Sequence, residues 1–189
     1  MKFALVIIAI VLFACVTPID IQAQKAWKSY TVEGEFSFQY PSNWKLEERE
    51  NRFSTVDAVL KYSNNDVQVV FEGGNISELG NPTDNNLLES LKGKIEERKD
   101  GKVFESGLDK NAINNRTAPY VIGTYTTEPL FGSALNMVIL ATVVHVNNEE
   151  VVIVRYVAEE NNFDKYLPKV KQVIKSISPV TTIAFNNVD

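Results

Sequence analysis

Along residues 36–40 the chain alternates strictly, with Phe36, Phe38 and Tyr40 apolar and Ser37 and Gln39 polar. A period of two marks a strand with one face buried. Residues 27–32 read as a shorter strand before it, and Glu33-Gly34-Glu35 turns the chain. Pro41 has no amide hydrogen, so the strand is expected to stop at Tyr40. Pro41-Ser42-Asn43 then forms a corner, and Trp44 comes back as the first large apolar residue after it. Trp44 is expected to cover the strand end that Tyr40 finishes. The alternative is that Tyr40 or Trp44 lines a ligand site. Residues 54–62 and 66–72 are two more strands, joined by a turn at Ser63-Asn64-Asn65. Residues 73–82 form the longest irregular stretch, where a functional loop is expected.

The period then changes. Leu87, Leu91 and Ile95, with Leu88, recur at helical spacing, and Thr83 or Asp84 is placed to cap a helix running to about Lys99. Gly101 suits a left-handed position after it. Residues 103–109 and 118–127 read as strands joined by a polar loop over 110–117, and 128–133 is a further loop. Residues 134–146 and 151–158 form a long hairpin across Asn147-Asn148-Glu149. Its strands are apolar on both faces: Val138, Leu140 and Val144 on one, Met137, Ile139 and Val143 on the other. Such strands are central and covered on both sides. Asn162 is expected to cap a last helix carrying Phe163, Tyr166, Leu167, Val170, Val173, Ile174 and Ile177 as its core stripe. Lys165, Lys169, Lys171 and Lys175 fall on its other side, as a solvated face, and Ser178-Pro179 stops it. Hairpins dominate, so the class is α+β with a mostly antiparallel sheet. No internal repeat is visible, and residues 24–189 read as one domain with its core over about 27–179.

The corner "FSFQYPSNWKLEE", the hairpin after it and the helix near Leu87 come in a distinctive order. "NRTAPYVIGTYT" follows, then "VILATVVHVNNEEVVIVRYVAEENNFDKYLPKVKQVIKSI" and the terminal Ser-Pro. This arrangement resembles the PsbP-like family, named after an extrinsic subunit of photosystem II. The resemblance implies an α/β/α sandwich with helices on both faces of a central antiparallel sheet. It also implies an exported protein that sits at a membrane surface or binds a partner. The founding members help retain calcium and chloride at the oxygen-evolving centre. Their cofactor-related residues have no match here, and fold alone does not transfer function.

The first residues bear on location. Lys2 is followed by an apolar run from Phe3 to Val16, then a polar stretch ending Ile21-Gln22-Ala23. This is the three-part form of a secretory signal over residues 1–23, with cleavage expected between Ala23 and Gln24. Two alternatives stay open: an uncleaved N-terminal anchor, and a lipid anchor on Cys15 within Leu12-Phe13-Ala14-Cys15. There is no bipartite transit peptide of the kind a plant lumen protein carries. Cys15 is the single cysteine, so the mature protein has no disulfide. Asn75-Ile76-Ser77 and Asn115-Arg116-Thr117 match the glycosylation pattern.

The net charge is −5, and loss of Lys2 and Asp20 together leaves it unchanged. A mildly acidic chain has no electrostatic footprint for nucleic acid. Chemistry is sparse. His145 is the single histidine, and no Gly-x-Ser-x-Gly elbow supplies a nucleophile. Clustered zinc ligands, a regular calcium loop, a phosphate-binding loop and a dinucleotide fingerprint are all missing from the sequence. No cofactor is expected, apart from a weak surface site for calcium or manganese using carboxylates and His145. The expected function is a non-catalytic exported module that binds a partner protein, a small ligand or an ion, or assists assembly of a membrane-associated complex. The competing reading is a hydrolase or metal-dependent enzyme centred on His145.

Overall fold

The structure is a computed structural model that describes residues 27–32, 35–48, 58–62, 67–113, 116–127 and 133–180. The expected cleavage site at Ala23 and Gln24, Cys15, and the Asn115 acceptor lie outside these residues. The described residues form strands β1 (Trp27–Thr31), β2 (Phe36–Pro41), β3 (Lys45–Glu48), β4 (Ala58–Tyr62) and β5 (Val67–Asn75). Helix α1 (Asp84–Glu96) follows, then β6 (Lys102–Ile113), β7 (Arg116–Thr126), β8 (Asn136–His145) and β9 (Glu150–Glu159). Helix α2 (Glu160–Lys175) and a short β10 (Ser178–Pro179) end the described chain.

Two sheets result. A seven-stranded antiparallel sheet has the order β3-β4-β5-β9-β8-β7-β6, and a three-stranded one has the order β1-β2-β10. The two apolar faces of β8 explain the layering. Ile139, Ala141 and Val143 pack with Val121, Val151 and the α1 stripe Leu87, Leu91 and Ile95. Val138, Leu140 and Val144 face the other way, into a larger core shared by α2 and the small sheet. Phe163, Tyr166, Val170 and Val173 come to this core from α2, Ile177 from just after it, and Phe36, Phe38 and Tyr40 from β2. The fold is thus an α+β sandwich with helices on opposite faces of a central antiparallel sheet. On one of those faces a second sheet shares the layer with the helix.

Several local expectations need correction. The strand that begins at Phe36 includes Pro41, which pairs with Trp27 at the ladder's end, where a missing donor costs little. Lys45–Glu48 after the corner is a strand, paired with β4. β5 continues through Gly73 and Gly74 to Asn75, because β9 offers a partner along its whole length. The expected loop over 110–117 is mostly strand, as β6 and β7 form a long irregular hairpin with register shifts. Thr83 caps α1 in a reciprocal capping box with Asn86, and the helix ends at Glu96, before Lys99. Asp100, at φ 54°, takes the left-handed position that the sequence suggested for Gly101. Gly101 is needed for another reason: a Cβ there would sit 2.0 Å from the Ile95 carbonyl oxygen. Helix α2 starts at Glu160, two residues before Asn162, with no side-chain cap. It also runs through Pro168, an exposed position on the helix that has no amide hydrogen to donate.

Candidate functional site

The two helices do not cover the same half of the large sheet. α1 lies over β6, β7 and β8 on one face, whereas α2 lies over β9, β8 and β5 on the other. The small sheet fills the rest of the α2 layer, with Phe38 of β2 stacked on Phe71 of β5 at 4.2 Å. On the α2 side the β6–β7 end of the sheet therefore lacks a covering element among the described residues. A groove of about 450 Å³ runs there.

Strand alternation builds its floor. The register aligns Ala118, Tyr120 and Ile122 of β7 with Asp109, Gly107 and Glu105 of β6. On the other side Tyr120 and Ile122 pair with Thr142 and Leu140 of β8. All of these except Gly107 line the groove, and Gly107 leaves room for the Tyr120 ring, since a Cβ there would approach it to 3.3 Å. Helix α2 supplies the opposite wall with Lys171, Ile174 and Lys175, and Lys110 borders the groove from β6. Two lysines read in the sequence as a plain solvated face thus belong to a groove wall.

The polar groups inside are specific. Thr142 donates its hydroxyl hydrogen to the Pro119 carbonyl at 2.9 Å, so this buried side chain is satisfied within the sheet. Tyr120 donates to the Glu105 carboxylate at 3.1 Å. That bond to Glu105, with smaller contributions from desolvation and the Asp109 charge, pushes the Tyr120 phenol above its ordinary pKa. Tyr120 is therefore a neutral hydrogen-bond donor near pH 7, not a base.

His145 lies elsewhere, at the end of β8. Its Nε2 is 3.0 Å from Asp84 Oδ1, and Thr117 donates its hydroxyl hydrogen to Asp84 Oδ2. The arrangement has the three residue types of a catalytic triad in the wrong order. In a triad the hydroxyl bonds to the imidazole, which bonds to the carboxylate. Here both partners meet on the carboxylate of Asp84, the first residue of α1, a place where negative charge is favourable. The cluster pins the start of α1 to β7 and β8. The sequence placed Asp84 as a possible cap and gave no sign of His145 as its partner.

Tyr40 and Trp44 do not reach the groove. Both belong to the larger core, Tyr40 at 8% and Trp44 at 3% exposure. The Trp44 ring packs 6.0 Å from Tyr62, and its buried Nε1–H has no hydrogen-bond partner among the described residues. Asn75 closes the end of β5, its side-chain oxygen accepting bonds from the Ser77 amide and hydroxyl. A smaller depression of about 270 Å³ beside it is bordered by Glu35, Glu78 and Glu150. Among the described residues no three His, Cys, Asp or Glu side chains come together in a way that could hold a metal ion. No helix among them is long and apolar enough to cross a membrane.

A family model described as PsbP matches residues 25–178. Among solved structures, the cyanobacterial PsbP (CyanoP) of Synechocystis sp. PCC 6803 is similar with a TM-score of 0.59 and 13% identity. That match covers 82% of this chain and 93% of CyanoP. LpqN, involved in cell envelope biogenesis of Mycobacterium tuberculosis, is similar with a TM-score of 0.55 and 10% identity, covering 84% of this chain and 94% of LpqN. At such identities the likeness speaks for the fold. No curated protein sequence matches.

Proposed function

We propose, from the premise that this chain belongs to the PsbP family, that it is a non-catalytic extracytoplasmic binding module whose contact surface is the groove between α2 and the β6–β7 hairpin. The observation that carries this reading is the sheet end that no described element covers, a groove of about 450 Å³ lined by both apolar and charged side chains. Open concave sites of this size are where proteins receive ligands or partner segments. The signal-like pattern of residues 1–23 supports an extracytoplasmic location. LpqN, similar in fold, is described as involved in cell envelope biogenesis, which fits work outside the cytoplasm. The occupant is a partner protein or small ligand outside the cytoplasm, and assembly of a membrane-associated complex is the process it would serve.

The test is recovery of the protein from its own host's envelope with its bound company, wild type beside Ile174→Arg. Ile174 is half-buried on the groove wall, so an arginine there obstructs the groove without opening the core. Loss of company in the variant, with an unchanged melting curve, supports the groove as the contact surface. Identical company in both proteins refutes it.

A further inference from the structure

A second surface lies on the outer side of α2, and we propose that it docks on a membrane leaflet rich in anionic phospholipid headgroups. This goes beyond the groove and does not depend on what fills it. Glu160–Lys175 carries Lys165, Lys169, Lys171 and Lys175 against Glu160 and Asp164, a balance of +2. The whole chain is at −5, so everything outside this helix sums to −7. All four lysines are exposed, and none forms an ion pair among the described residues. Lys45, Lys61, Lys92 and Arg155, by contrast, each hold a carboxylate. Lys165 and Lys169, and again Lys171 and Lys175, are spaced four apart, where like charges repel and weaken a helix. Positive charge gathered on one helix of an acidic protein, and left unneutralised despite that repulsion, fits an anionic partner.

The layout selects a charged plane over a single anion. By helical periodicity, the exposed residues Asn161, Pro168 and Gln172 mark the line of α2 that points away from the core. Lys165 and Lys169 fall on one side of that line and Lys171 and Lys175 on the other, all within an arc of about 160°. The two pairs diverge, so one phosphate cannot be held by all four. A plane laid against the helix meets all four ammonium groups, because lysine stems are long and flexible. The helix carries no arginine, the residue that grips one phosphate through two parallel bonds. Its exposed residues include no large apolar side chain, so contact stays at headgroup depth, without insertion. Four lysines suffice for a basic cluster that holds a protein at an anionic leaflet. Salt screens charge over about 10 Å, so a leaflet against α2 feels its lysines first and the negative charge elsewhere only weakly.

The test is flotation of the purified protein with vesicles of phosphatidylcholine alone and of phosphatidylcholine with an equal part of phosphatidylglycerol. Binding to the anionic vesicles only is expected, and it should be at least about tenfold weaker in about 1 M salt than in about 0.01 M. Lys165→Gln/Lys169→Gln and Lys171→Gln/Lys175→Gln should each lower the partition by roughly 25-fold, about fivefold per lysine. Lys94→Gln/Lys102→Gln removes the same charge from exposed lysines outside α2 and should leave the partition unchanged. A melting curve for each variant separates lost charge from lost fold. Equal binding to both kinds of vesicle, as an N-terminal anchor alone would give, overturns the proposal. So do equal losses in all three double variants, or displacement by soluble glycerol phosphate. Absence of vesicle binding overturns it too; if the α2 variants then still shed their company from the host's envelope, the face meets an acidic protein instead. The groove reading stands or falls on Ile174→Arg and the envelope company, whatever the vesicles show.

Discussion

Replacing Phe38 with alanine tests whether the small sheet is part of the core or a separable flap. Phe38 is the central residue of β2 and is 1% exposed. Its ring stacks on Phe71 of β5 at 4.2 Å and 11°, with Tyr30 at 5.7 Å and Tyr40 at 6.1 Å. Truncation of a fully buried phenylalanine removes its transfer free energy and leaves a cavity, at a cost of about 3–5 kcal/mol. Domains of this size lose about 2–4 °C of melting temperature per kcal/mol, so Tm should fall by roughly 6–20 °C. Urea unfolding followed by circular dichroism and by tryptophan fluorescence is the assay. Both probes should give one coincident transition, with a lower midpoint and an unchanged m value. Phe38→Leu, which keeps most of the volume, should cost only about 1–2 kcal/mol. A double-mutant cycle with Phe71→Leu should return a coupling of about 0.5–1.5 kcal/mol for the stacked pair. A loss below about 1 kcal/mol for Phe38→Ala, or two separate transitions, would refute the single-core reasoning.

Three further outcomes follow from the packing and the charges. A Cβ on Gly123 would stand 2.5 Å from the Lys102 carbonyl oxygen and 2.9 Å from Ile95 Cγ2, so Gly123→Ala should force α1 off the sheet; a destabilisation of about 1–3 kcal/mol in urea is expected. Asp84→Ala removes the shared acceptor of His145 and Thr117 and should cost about 1–3 kcal/mol, with Asp84→Asn recovering part through its remaining oxygen; equal losses in chemical denaturation would show that these bonds do not matter. The Lys61 and Lys45 ammonium groups beside Glu47 hold its carboxyl at about 2, against an ordinary 4.5. The folded-state value is the depressed one, so its contribution is present above about pH 4.5 and fades as the pH falls towards 2. Glu47→Gln should flatten the stability profile in that window, and carboxyl titration by NMR that gives an ordinary value for Glu47 would remove the basis for it.

The sequence by itself determined the main elements and the α+β class with a mostly antiparallel sheet, because those signals are local and repeated; the sandwich came with the family resemblance. The alternation at Phe36, Phe38 and Tyr40 marked β2, and the doubly apolar hairpin carrying Leu140 and Ile139 marked the middle of the sheet. The stripe through Leu91 and the one through Val170 marked two helices, and the order of elements matched a family. Element ends were less legible, since they depend on partners: β5 extends through two glycines because β9 is there to pair with them. The groove was not legible at all. It exists because α1 and α2 settle over different halves of the sheet, an offset that no periodicity encodes. Lys171 and Lys175 look like any solvated pair until Tyr120 and Leu140 are brought opposite them by strand register. The same holds for His145 and Asp84, 61 residues apart in the chain and 3.0 Å apart in space. Periodicity fixes which face of an element is buried. Which residues then meet across two elements is a property of their packing, and only the tertiary structure decides it.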